Sequence, residues 1–381
     1  MLTRVLAAVL LAAPVPADPV RAEMTSVLSS LSVPRAWTLT KGRGVTVAVL
    51  DTGVDAAHAD LAGSVTTGPD YTRGAGMAAP RRLHGTTMAS IIAGHGHGRS
   101  GVIGVAPEAR LLALRVILER DEPGFAAFNR NARYEGTVAR GIRYAADHGA
   151  DVVNLSLGRS YPTRAEREAV AYAIARGVVV VAAAGNGGAV RGTSPEYSFP
   201  ASFPGVISVA AVDAAGRHAG FSNRNSAVVV SAPGVRIVGA GPGDRYWIGD
   251  GTSPATAFVS GVAALIRSRH PKLAPALVTQ AIVAGARPRP RRGYDVGVGF
   301  GRVDAFGALA ASDRLASSRT GGLGLPESRR FGEPRPVRVM RRDRGLIALY
   351  ATVCAVAVAG LIVFGVPAVR RTASSKDASR A

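Results

Sequence analysis

A chain of 381 residues is long enough for one large domain or two small ones, and its 47% hydrophobic content supports a sizeable core. A single cysteine, Cys354, excludes an intrachain disulfide and a cysteine-based zinc site, and it leaves the redox compartment open. The net charge of +20 invites a nucleic-acid reading, but lysine occurs only at 41, 272 and 376, and the arginines crowd Pro/Gly stretches without interleaved aromatics, which argues against nucleic acid as a partner.

The chain opens MLTRVLAAVLLAAPVPA, with Arg4 ahead of an apolar run from Val5 to Ala13 and then small residues and prolines. This pattern predicts a signal peptide over residues 1–22, cut after about residue 17 or 22. Short apolar runs rich in β-branched residues follow at 44–51, 111–116, 151–158, 177–186 and 205–212, the form of strands buried on both faces. Between them, 136–149 puts Val138, Ile142 and Ala145 on one helical face and stops at His148–Gly149. The stretch 163–177 opens with a Thr163/Glu166 capping box and closes at Gly177. Strands alternating with helices predict an α/β fold in three layers, a central mostly parallel sheet with helices on both faces. Ligands of such sheets bind beyond the carboxyl ends of the strands, where Asp51, Ser156, Gly158 and Asn186 fall.

Farther along, GDGTSPATAF (249–258) sets Ser253 before Pro254. That is the pattern of a helix start, with serine as N-cap and proline as first helical residue, and it is also a place for a nucleophile. One domain is expected over 23–312, followed by an Arg/Pro/Gly-rich linker at 313–344. Residues 345–367 are uncharged and make about 34 Å of helix, which predicts a transmembrane helix containing Cys354 and a cytoplasmic tail at 368–381. A signal peptide followed by a late apolar span places the large domain outside the cell. Charge agrees only in part, since Arg370, Arg371, Lys376 and Arg380 lie on the inner side while Arg335, Arg338, Arg341, Arg342 and Arg344 crowd the outer one.

A serine hydroxyl needs an adjacent base, the base a buried carboxylate, and the developing oxyanion a donor. Seven histidines are available, at 58, 84, 95, 97, 148, 218 and 270. His84 stands where a loop runs into an apolar helical stretch. His148 and His270 read as helix-end cations, and His58 and His218 as members of polar loops. His95 and His97 read as part of a glycine loop rather than metal ligands, with no acidic residue within ten positions. Asp51 ends a buried strand, where a carboxylate without a partner is costly. Asp55 and Asp60 fit turn-capping roles.

Four segments together resemble the subtilases, the subtilisin-like serine proteases: VAVLDTGVD (47–55), HGTTMASIIAG (84–94), VVVVAAAGN (178–186) and GTSPATAFVSGVAALI (251–266). The order Asp, His, Ser is that of subtilisin itself. The resemblance covers about 37–310 and implies a subtilisin-like fold. It implies that Asp51 orients His84, that His84 takes the proton of Ser253, and that the Asn186 side chain with the Ser253 N–H holds the oxyanion. It further implies that Ser156, Leu157 and Gly158 pair with the substrate backbone, that Ala183, Ala184 and Gly185 wall the first specificity pocket, and that the Phe199–Pro200 bond is cis.

Three departures from the family pattern stand out. About thirty residues between signal and first strand are too few for a folded inhibitory propeptide, so either activation takes another route or the segment lies against the domain. Proline stands at 254 where many relatives carry it four residues after the serine, the position of Ala257 here. Calcium is common in the family, but no loop is rich enough in aspartate to name ligands, and no metal or other cofactor is expected. The order of signal, protease, linker, membrane helix and tail resembles the mycosins, anchored subtilases associated with type VII secretion in actinobacteria. The expected partners are peptide or protein substrates, the membrane, and a secretion complex, with a scaffolding role in that complex as the alternative function. A lipase would want a second glycine after the serine and a later histidine, which this chain lacks.

Overall fold

The computed structural model describes residues 18–75, 80–188, 196–317 and 344–360. In chain order the elements are α1 (Pro19–Ser30), α2 (Val33–Ala36), β1 (Thr46–Asp51), β2 (Val65–Asp70), α3 (Leu83–Ala93), β3 (His95–His97), β4 (Ser100–Ile103), β5 (Arg110–Arg115) and α4 (Phe125–Arg130). They continue with α5 (Thr137–Asp147), β6 (Val152–Leu155), α6 (Arg164–Ala175), β7 (Val179–Ala183), β8 (Ile207–Val212), β9 (Val228–Pro233), β10 (Ile237–Gly241) and β11 (Arg245–Gly249). Last come α7 (Thr252–Arg269), α8 (Pro275–Gly285), α9 (Ala305–Ser317) and α10 (Arg344–Gly360).

Seven strands form one sheet in the order β2-β5-β1-β6-β7-β8-β9, every adjacent pair parallel. Successive side chains of a strand point to opposite faces. Val47 and Val49 of β1 therefore join the core that holds Ile91 of α3, Phe258 of α7, Val278 of α8 and Leu309 of α9. Ala48 and Leu50 join the opposite core, with Ile142 of α5 and Val170 of α6. Both faces are dry, which is why the central strands read as unbroken apolar runs. The α6 cap forms as its sequence predicts, with the Thr163 hydroxyl accepting from the Glu166 N–H at 3.2 Å. The Phe199–Pro200 bond is cis.

The segment ahead of β1 lies against this domain. Asp18 caps α1 by accepting from the Arg21 N–H at 3.0 Å, and Met24, Leu28 and Leu31 are fully or almost fully buried. Arg21 donates to the carbonyls of Ser100 and Gly101 at 2.5 and 2.8 Å, which ties α1 to β4. The expected cut after residue 22 would fall inside this helix, and the rest of the expected signal, 1–17, lies outside the described residues. At the other end α9 runs to Ser317, beyond the linker boundary expected at 313, because Asp313 is held by Arg269 and His270 of α7's end. Residues 318–343 of the linker lie outside the described residues.

The chain divides after Arg319 into two units. In the second, α10 spans 17 residues, and Leu349, Tyr350, Val353, Val356 and Val358 are exposed. Among the described residues no helix is long and apolar enough to cross a membrane. Residues 361–367 of the expected span and the tail 368–381 lie outside them.

Candidate active site

β5 and β2 extend to one side of β1, and β6 to β9 to the other. The chain thus leaves β1 and β6 in opposite directions, and a crevice opens beyond their carboxyl ends. Asp51, the last residue of β1, is fully buried there. His84 arrives on the first turn of α3, and its Nδ1 donates to Asp51 Oδ1 at 2.7 Å. The Thr52 N–H donates to the same oxygen at 2.7 Å. The next residue explains how the helix comes so near. A Cβ on Gly85 would stand 2.1 Å from the Gly53 carbonyl oxygen and 3.2 Å from Asp51 Cβ, so only glycine permits the approach.

A carboxylate only accepts, so Nδ1 carries the proton and Nε2 keeps a lone pair. The ring is 34% exposed, and its burial works against the charged form. Asp51, through its charge and its hydrogen bond, and Glu119, through its charge, outweigh that penalty and raise the His84 pKa above the ordinary imidazole value.

α7 begins at Thr252 with Gly251 as its N-cap and no side-chain cap bond. Ser253 is therefore the second helical residue and Pro254 the third, a correction to the serine-cap, first-proline arrangement. Proline is tolerated there because first-turn N–H groups have no intrahelical acceptor. The Ser253 hydroxyl donates to the Ser156 carbonyl at 3.1 Å, and the Ser156 hydroxyl donates to the Ser253 carbonyl at 3.0 Å. Among the described residues no hydrogen bond joins Ser253 to His84. Asn186, just past β7, accepts with Oδ1 from both the N–H and the hydroxyl of Thr252 at 2.9 Å. A backbone N–H can only donate, so this bond fixes the amide and leaves Nδ2 as a donor for a ligand.

A cleft of about 1290 Å³ is lined by His84, Ser253, Asn186, Ser156, Leu157 and Gly158, among others. Ala183 and Gly185 also line it. Ala184 does not: it is buried with Ala210 and Val228, because alternation along the continuing chain turns it inward. Three contributors carry no legible sequence signal of their own. Thr252 holds Asn186. Glu119 accepts from the His84 N–H at 3.0 Å. Ser198 forms part of the lining between Gly158 and Gly185, so close that a Cβ on Gly158 would meet its Oγ at 2.1 Å and one on Gly185 its Cβ at 3.2 Å.

One region departs from expectation: Asp60 does not cap a local turn, and His58, though in a loop, is buried. His97 Nδ1 donates to Asp60 Oδ1 at 2.7 Å. Asp60 Oδ2 also accepts from the Val102 N–H at 2.7 Å. The acidic partner of His97 lies 37 residues away in sequence, beyond any local search. Among the described residues no group of three or more His, Cys, Asp or Glu side chains is placed to hold a metal ion.

The family model for the subtilase family matches residues 42–301. A thermophilic serine proteinase from Bacillus sp. (strain AK1) is 44% identical over 235 residues, 61% of this chain and 55% of that protein. Thermitase from Thermoactinomyces vulgaris is 39% identical over 254 residues, 67% of this chain and 86% of its own length. Among solved structures, the MycP3 protease from the type VII (ESX-3) secretion system superposes with a TM-score of 0.64 at 33% identity, over 76% of this chain and 89% of that one. With a matched model over most of the domain and the sheet, crevice and Asp51–His84 contact in place, the chain belongs to the subtilase family, the subtilisin-like serine proteases.

Proposed function

We propose that this protein is a membrane-anchored extracellular serine endopeptidase that processes secreted substrates. The observation that carries the catalytic part is the Asp51–His84 contact at 2.7 Å in the same cleft as Ser253 and the donor face of Asn186. In this reading the Ser253 hydroxyl attacks the scissile carbonyl carbon while Nε2 of His84 takes its proton. The oxyanion accepts from Asn186 Nδ2 and the Ser253 N–H, at the positive end of α7. His84 then returns the proton to the leaving amine, and water hydrolyses the acyl-enzyme by the same route. The Ser253 hydroxyl rests on the Ser156 carbonyl. A substrate N–H paired with 156–158 competes for that acceptor and frees the hydroxyl to turn to His84, in keeping with catalytic hydrogen bonds that tighten only on binding. Labelling by a fluorophosphonate probe, lost in Ser253→Ala, tests the assignment. A folded wild-type protein that does not label at Ser253 sinks it.

The signal reading is best served by a cut after Ala17, which leaves Asp18 to cap α1 and Arg21 to hold β4. Burial of Met24, Leu28 and Leu31 supports keeping that segment in the mature domain. Anchoring rests on the uncharged stretch 345–367 and on the exposed apolar side chains of α10. Membrane fractionation of the full chain and of a truncation at residue 343 tests it. A second reading, a scaffolding subunit of a secretion assembly, is favoured by the likeness to MycP3 of a type VII system. Secretion that survives Ser253→Ala but fails on deletion of the whole protein would support that role.

A further inference from the structure

α3 begins without a cap of its own. Arg82 stands at its N-cap with φ 56°, in the left-handed region, and makes no side-chain capping bond. The first-turn N–H groups of such a helix lack partners and carry partial positive charge. One of them, on His84 itself, finds its acceptor in Glu119 Oε1, on the loop after β5. Glu119 is held in turn. Its N–H donates to Glu122 Oε2 at 3.3 Å, and Glu122, 3% exposed, pairs with Arg115. Arg115 also reaches Asp70 and lies beside Asp51 in the β1–β5 register. A second line of charged side chains thus runs from the sheet to His84, separate from the one through Asp51.

We propose that Glu119 is a positioning residue for His84, capping from the loop after β5 the turn that carries the imidazole and holding its ring on Asp51. The inference rests on His84 being the general base. The carboxylate does two separable things: its hydrogen bond fixes the backbone, and its charge favours the imidazolium. The charged groups that act on the ring are Asp51 from β1 and Glu119 from the loop after β5; Arg82 at the helix's own N-cap and Arg115 flank Gly53 nearby. Glu119→Gln keeps an acceptor and removes the charge, whereas Glu119→Ala removes both.

The test compares wild type and both variants, as full-length protein, by the pH profile of kcat/KM on a peptide substrate. Alongside it, the His84 ring is titrated by NMR in a Ser253→Ala background. Glu119→Gln is expected to keep kcat within about twofold at high pH and to move the acid limb and the ring titration to lower pH. Glu119→Ala is expected to move both the same way and to lower kcat about tenfold or more with little change in KM, because the ring is no longer held. Limb and ring titration at the wild-type pH in both variants would overturn the proposal, as would a rate loss in Gln as deep as in Ala. Should the Ala variant not fold, the Gln variant and the ring titration decide alone. A wild type that neither cleaves nor labels would instead remove the peptidase reading, while the ring titration still reports on Glu119.

Discussion

The molecule holds two aspartate–histidine pairs of nearly the same local geometry. Asp51 and Asp60 are both fully buried, each accepts from a histidine Nδ1 at 2.7 Å, and the rings are 34% and 47% exposed. What differs is everything around the ring. His84 faces a cleft shared with Ser253 at the start of an 18-residue helix and with the free amide of Asn186. His97 stands on a two-stranded hairpin with β4, where Asp60 also serves the Val102 N–H. Burial and the charge of nearby Asp60 push the Tyr246 pKa well up. The second pair is a tie between loop, hairpin and β11. A charge pair becomes chemistry only where a nucleophile, an oxyanion donor and room for substrate converge on it.

Substitutions should separate the two pairs sharply. Removing Ser253 or His84 should lower turnover by about 10⁶, the loss measured in subtilisin itself, whereas His97→Ala should leave kcat/KM near wild type. Asp51→Ala should cost about 10⁴ in turnover, again on subtilisin's own scale, and Asp60→Ala almost none. Burst and steady-state kinetics on one peptide substrate check both. A deep loss in the His97 or Asp60 variant, in folded protein, would erase the distinction. Asn186→Ala should cost about 10²–10³, as the equivalent asparagine does in subtilisin. The Asp60 variant should lose stability instead, since the buried Val102 N–H loses its acceptor at roughly 1–3 kcal/mol and His97 loses its partner. A melting point lower by roughly 5–10 °C is expected.

The first pair follows from the subtilase resemblance and the second has no such guide. On its own residues only Asp51 stands out, at the end of an unbroken apolar run; His84 differs little from the other histidines until its segment is matched to the family, and the close approach that requires Gly85 shows only in the fold. Asp60 and His97 sit in short polar segments 37 residues apart, and only the fold buries the carboxylate and brings the exposed ring to it. The five central strands were equally plain because both faces are dry. β2 was missed because VTTGPD is an edge strand, half exposed, with glycine and proline inside it. β10 and β11 were missed because their partner is each other rather than the sheet. Thr252 and Glu119 carry no sequence mark, because a hydrogen bond to a catalytic group leaves no periodicity behind. The serine-cap pattern sets the helix start two residues too late, at Pro254 rather than Thr252, because Gly251 caps by backbone geometry alone and carries no side-chain signal.

The smallest effect is also the one that most sharpens the contrast, because it links activity to stability at a single ring. The His84 pKa is raised in the folded chain, against the pull of burial, by Asp51 and Glu119. The base must be neutral to accept the serine proton, so kcat/KM should rise with pH along a limb lying above the ordinary imidazole value. Linkage gives stability the opposite sign. A raised folded pKa stabilises the fold fully below the unfolded value, and that increment is lost as pH rises through the folded pKa. Activity should therefore climb in the window in which urea stability, measured in Ser253→Ala, declines. In Asp51→Asn the charge is gone, the stability slope should flatten, and the residual activity should show its limb at lower pH. A stability curve that rises with pH across the window, or a slope unchanged in Asp51→Asn, would show that the 2.7 Å contact does not hold a charged imidazole.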